Sequence, residues 1–184
     1  ASVITPLDPE RYVRTPWKNG GGVTVDIAAD GDVWRFSRTP IVAPGAFSDY
    51  TGFDRAQVLV SGRGLVLRTP SGEIDLRRPF RPVRFAGETP IVSRLEAGAV
   101  EVVNLLGERS RVGIDLGVLS AGESRLLGDG IHIAYCPGGR ATVRIAGGIH
   151  ELSADGGLRI DDEPGRLDCV TGLIVVGSVK CVSR

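Results

Sequence analysis

Glycine and proline, 26 and 11 of them in 184 residues, interrupt this chain roughly every eight to twelve positions. The runs between are short and rich in valine, isoleucine and leucine. Such spacing excludes long helices and predicts an all-β sandwich or barrel. Strands are expected at Gly22–Ala28, Trp34–Thr39, Ala56–Val60, Gly64–Thr69, Ile74–Leu76, Val83–Phe85, Ile91–Glu96 and Val100–Leu106. Further strands are expected at Ile131–Tyr135, Thr142–Ile145, Ile149–Leu152, Leu158–Ile160 and Leu173–Val179. Apolar residues at 3.6 spacing are missing, and only Asp8–Val13 offers a helical turn or two.

The chain is long enough for one domain or two small fused ones. An internal repeat favours two. Ser61–Arg68 overlies Pro137–Arg144 at an offset of 76, where Gly72 also meets Gly148 and Leu76 meets Leu152. Both copies read strand, glycine turn, strand, glycine turn, strand. Gly107–Gly113 is the best seam, giving halves 1–112 and 113–184. The 22 basic residues balance the 22 acidic ones, which argues against nucleic acid or an anionic membrane as a global partner. No apolar run approaches a membrane span and no signal pattern opens the chain, so a cytoplasmic protein is expected. Cys136, Cys169 and Cys181 form neither a disulfide framework nor a zinc knuckle.

The chemistry concentrates early. Pro16-Trp17-Lys18-Asn19-Gly20-Gly21-Gly22-Val23-Thr24 sets an aromatic plane, a cation and an amide before three glycines. It suits either a nest of backbone N–H groups beside Lys18, with Trp17 walling a pocket, or a tight turn with Trp17 in the core. Trp34-Arg35-Phe36-Ser37, Gly45-Ala46-Phe47-Ser48 and Gly52-Phe53-Asp54-Arg55 follow, and Asn104 comes later. This order closely resembles the HutD/Ves family of small bacterial cupin-like proteins over most of the first 112 residues. The resemblance implies an all-β bicupin, two cupin-like halves in one chain. It implies a link to histidine utilisation on the HutD side and to stress response on the Ves side. Val102 stands where family members often carry an aspartate.

Metal cupins hold their ion with histidines and a glutamate. This chain has only His132 and His150, no HxH, Arg55 in the place of the glutamate and Pro90 in that of the last histidine. No metal and no other cofactor is therefore expected. On an extended strand Arg55 and Gln57 share a face and could look into the barrel, where a guanidinium would take a carboxylate in bidentate fashion. An ion pair of Arg55 with Asp54 or Asp49 is the competing expectation. Arg35 and Ser37 share one face of their strand, and Trp34 and Phe36 the other. Asn104 sits on an apolar face and needs a partner.

The expected ligand-binding set is Trp17, Lys18, Asn19, Trp34, Arg35, Ser37, Arg55, Gln57 and Asn104. The expected function is metal-free binding of a small anionic metabolite, as a sensor or modulator. Intermediates of histidine breakdown, namely urocanate, formiminoglutamate or formylglutamate, are the candidates that the resemblance suggests. A metal-independent isomerase or hydrolase using Lys18, Tyr50 or Asp54, and a protein-interaction module, are the rivals. A homodimer is the one assembly entertained.

Overall fold

The computed structural model describes residues 3–17 and 20–183. The first half runs β1 (Val3–Leu7), β2 (Val13–Pro16), β3 (Val23–Asp30), β4 (Trp34–Ile41), β5 (Gly45–Ala46) and β6 (Phe53–Ser61). It continues through β7 (Leu65–Thr69), β8 (Gly72–Leu76), β9 (Val83–Ala86), β10 (Val92–Leu95) and β11 (Val100–Glu108). The second half runs β12 (Val112–Ser120), β13 (Ser124–Leu127), β14 (Ile131–Tyr135) and β15 (Arg140–Ile145). It ends with β16 (Gly148–Ser153), β17 (Gly157–Asp161), β18 (Gly165–Thr171) and β19 (Leu173–Cys181). A 3-10 turn at Pro9–Arg11, capped by Asp8, is the one helical element among the described residues. Among them no helix is long and apolar enough to cross a membrane.

The strands form four antiparallel sheets. Sheet I has the order β2-β3-β4-β11-β6-β9, and sheet II the order β5-β10-β7-β8. Sheet III is β1-β17-β14-β19-β12, and sheet IV is β13-β18-β15-β16. The segment β4-β11-β6-β9 recurs as β12-β19-β14-β17, and β5-β10-β7-β8 recurs as β13-β18-β15-β16. Strand β1 breaks the partition: although first in sequence, it pairs along β17 in the second half's sheet.

Three apolar clusters stack the sheets in the order II, I, III, IV. Leu59, Phe85 and Val102 of sheet I meet Leu65, Leu67 and Leu76 of sheet II. Phe36, Val58, Val103 and Leu105 of sheet I meet Ile114, Ile133, Tyr135 and Val175 of sheet III. Leu158, Ile160 and Val176 of sheet III meet Val143, Ile145 and Leu167 of sheet IV. The two central sheets are thus covered on both faces, which explains why β11 and β19 read as nearly continuous apolar runs. A Cβ on Gly177 would come within 2.8 Å of the Phe36 ring, so glycine there lets sheets I and III close up. Arg38 crosses the same contact, donating to Glu101 on its own side and to the Tyr135 hydroxyl (2.9 Å) and Pro137 carbonyl (2.7 Å) opposite.

Candidate functional site

The face of sheet I turned toward sheet II is apolar except across its middle. Strand alternation brings Arg35, Ser37 and Thr39 to that face from β4, and Arg55 and Gln57 from β6. Antiparallel register then aligns Asp26, Ser37, Asn104 and Gln57 in one row across β3, β4, β11 and β6. The next row is Arg35, Leu106, Arg55 and Phe85. These rows, Phe85 apart, floor a cavity of about 790 Å³, with Trp17 on one rim and residues 41–48 on another. That volume suits a small organic ligand.

Arg55 dominates the floor. It is 7% exposed, and its Nε has no hydrogen-bond partner. Its guanidinium carbon lies 5.2 Å from the ring centroids of Phe47, Tyr50 and Phe85 alike. These rings attract the cation through their π faces but cannot neutralise it. No carboxylate pairs with it among the described residues. Asp54, one step along the strand, faces away and takes Arg84 (3.3 Å) and Arg109 (2.9 Å). Asp49 accepts the Thr51 hydroxyl at 2.8 Å. The ion pair expected as the competing role for Arg55 therefore does not form. Burial, with the nearby charge of Arg35, pulls the Arg55 pKa below its usual value, although Tyr50 partly opposes this.

Arg35 donates from Nη2 to the Tyr50 hydroxyl (3.2 Å), and its Nε stands 3.7 Å from Asp26 Oδ1. That oxygen is buried and accepts no hydrogen bond. Burial raises the Asp26 pKa, and Arg35 offsets only part of the rise. Gln57, 1% exposed, donates from Nε2 to Asn104 Oδ1 (2.7 Å), and its Oε1 is left without a partner. At the rim, the Trp17 backbone N–H donates to the Gly22 carbonyl (2.8 Å), and Trp17 Nε1 donates to Thr24 Oγ1 at 3.0 Å. Trp17 thus lines the cavity and does not lie in the core; the nest expected beside Lys18 falls outside the described residues.

The family model described as HutD matches residues 9–173. The chain belongs to the HutD family. Among similar proteins, an uncharacterised 21.2 kDa protein in the hutC 3′ region of Pseudomonas putida is 34% identical over 111 residues. That alignment covers 57% of this chain and 58% of the relative, so the chain spans under two thirds of that relative's length. A conserved protein of unknown function from Pseudomonas aeruginosa is 25% identical with a TM-score of 0.85, covering 98% of this chain and all (100%) of that one. HutD from Pseudomonas fluorescens SBW25 matches at 24% identity and a TM-score of 0.83, over 98% of this chain and 100% of that one. At far lower identity, cupin barrel proteins share the fold, which is therefore all-β and cupin-like.

Of the residues singled out from sequence in this HutD-family chain, Trp17, Arg35, Ser37, Arg55, Gln57 and Asn104 line one cavity. Lys18 and Asn19 lie outside the described residues. Trp34 needs correction. It is 2% exposed on the opposite face of β4, packed toward sheet III with the Arg159 guanidinium 5.6 Å above its ring. Asp54 likewise stands away from the cavity. Asp26, Phe47 and Ser93 line it and were not singled out. Asp26 shares a face of β3 with Thr24, and it is the pairing with Ser37 that carries it to the cavity row.

A cupin's divalent ion finds no suitable donors here. The floor presents two guanidiniums, amides and hydroxyls around a single carboxylate, a donor set that repels a cation. Among the described residues no group of three or more His, Cys, Asp or Glu could hold a metal. The residues present do not fit the metal.

Proposed function

We propose that this protein binds a small anionic metabolite in the sheet I cavity, as a sensor or modulator. One observation carries this reading: the Arg55 guanidinium is buried at the cavity floor without a counter-charge. A buried unpaired cation is costly, and a carboxylate seated on it would supply both the charge and the missing hydrogen bonds. The family, and a relative named for the region beside hutC, favour intermediates of histidine degradation. Urocanate, formiminoglutamate and formylglutamate each bring a carboxylate. The recurring strand order supports a bicupin whose first half holds the ligand, acting in the cytoplasm. A thermal-shift screen of these three compounds, followed by calorimetry, tests the reading. Failure of every carboxylate to stabilise the protein would overturn it.

An enzyme is the second reading, and Asp26 favours it. A carboxylate of raised pKa beside Arg35, which also holds the Tyr50 hydroxyl, is equipment for proton transfer. Incubation of the same compounds with the protein decides between them. Binding without turnover is expected; sustained product formation that Asp26→Asn or Tyr50→Phe abolishes would make the protein a metal-independent isomerase or hydrolase.

A further inference from the structure

Arg55 Nε, Gln57 Oε1 and Asp26 Oδ1 are the three buried side-chain polar atoms without a hydrogen-bond partner among the described residues. All three belong to residues that line the same cavity. Buried polar groups are rarely left unpaired, so a cluster of them in one cavity outlines what the cavity is built to receive. The cluster has two poles. Arg55 offers N–H to an anion, whereas Gln57 Oε1 and Asp26 Oδ1 can only accept. Gln57 stands two residues along β6 from Arg55, roughly 6.6 Å in Cα separation. A bare carboxylate could satisfy the first pole and leave the second dry.

We infer that the cavity selects a carboxylate that also carries a hydrogen-bond donor, an N–H or O–H group, a few bonds from its anionic end. The anion sits at Arg55, and the donor faces the acceptors of the neighbouring row. Asn104 holds the Gln57 amide by its nitrogen, which leaves the buried oxygen as the amide atom still without a partner. Arg35, the charged group nearest Asp26, reaches it only at 3.7 Å and spends its Nη2 on Tyr50. This inference rests on the anion site proposed above and adds a selectivity which that reading does not require.

The test uses an isosteric pair of probes, N-acetylglycine and 4-oxopentanoate, which differ by an amide N–H in place of a methylene. Both are titrated by calorimetry into the full chain and into Gln57→Met and Asp26→Ala variants. N-acetylglycine should bind about tenfold more tightly, since a site with buried acceptors penalises an analogue that lacks the donor. The ratio of the two affinities should fall toward one in at least one variant, whatever that variant does to carboxylate binding as a whole. Equal affinity for the two probes in the wild-type protein overturns the inference and leaves the anion site standing. A gap that persists in both folded variants overturns the assignment to these residues. Binding of neither probe overturns the anion site and the inference together. The wild-type comparison decides even where a variant fails to fold.

Discussion

At the scale of single residues, the cavity is a place where stability is given up. Changing Arg55 to Met keeps most of the packed stem against Phe47, Tyr50 and Phe85 but removes the charge. Charge-assisted hydrogen bonds contribute roughly 1.5–3 kcal/mol each, so a carboxylate should bind about ten- to a hundredfold more weakly to a protein that still folds. Calorimetry checks this, and wild-type affinity in a folded Arg55→Met protein would place the site elsewhere. Asp26 offers a test without ligand. Its folded pKa is raised by burial, so its charge opposes folding once the pH has risen above the range in which the unfolded carboxylate ionises. Replacing it by the isosteric neutral Asn should raise the melting temperature near pH 7 by about 1–3 °C, with the gain shrinking as the pH falls toward 4. A lower melting temperature at neutral pH would mean that the Arg35 contact outweighs burial.

At the scale of elements, glycine decides both what sequence reading captures and what it misses. The expected strands of the first half lie within β4, β6, β8, β9 and β11 or overlap β3, β7 and β10, because apolar alternation there runs between true turn glycines such as Gly62 and Gly72. Strand β12 escaped. Its Gly113 and Gly117 look like punctuation, yet Gly117 is an in-strand position over which the Arg125 guanidinium lies, 2.5 Å from where a Cβ would stand. Strands β1, β2, β5 and β13 escaped because short edge strands bury too few side chains to show a period; β18, an inner strand of sheet IV, escaped because Gly165, Arg166 and Asp168 interrupt its apolar residues. The polar row of the cavity was legible in part, since alternation alone aimed Arg55 and Gln57 together. Its completion by Asp26 depends on cross-strand register, which no local pattern encodes. Gly177 tests the inter-sheet contact: Ala there should cost about 1–3 kcal/mol through collision with Phe36. Carboxylate affinity should be kept, because the cavity opens on the other face of sheet I. In sheet III, His132 donates from Nε2 to the Gly128 carbonyl (2.9 Å) and accepts the Ser178 hydroxyl at Nδ1 (2.7 Å). Burial lowers its pKa, so the neutral ring stabilises the fold fully above about pH 6.5 and loses that contribution as the pH falls below it. Urea titrations from pH 7.5 to 5 should show this decline, and a His132→Leu variant should show less of it.

At the scale of the whole molecule, the halves share one apolar cluster. Trp34, Phe36, Val103 and Leu105 find their partners on sheet III, so a fragment ending after β11 would expose a whole apolar sheet face. Such a fragment, residues 1–110, should lack a near-ultraviolet circular dichroism signal and a dispersed amide spectrum. A well-dispersed spectrum would show that the first sandwich stands alone. The pairing of β1 with β17 has its own consequence for synthesis on the ribosome. Val3–Leu7 emerges before its partner Gly157–Asp161, which follows about 150 residues later. At translation rates of about 5–20 residues per second, the leading strand waits for roughly 8–30 s with its backbone unpaired. Val3 faces solvent even in the finished fold, and Thr5 and Pro6 interrupt the apolar character of the segment. A proline in the waiting strand removes one backbone donor, which limits pairing with other nascent chains until the last sheet closes over it.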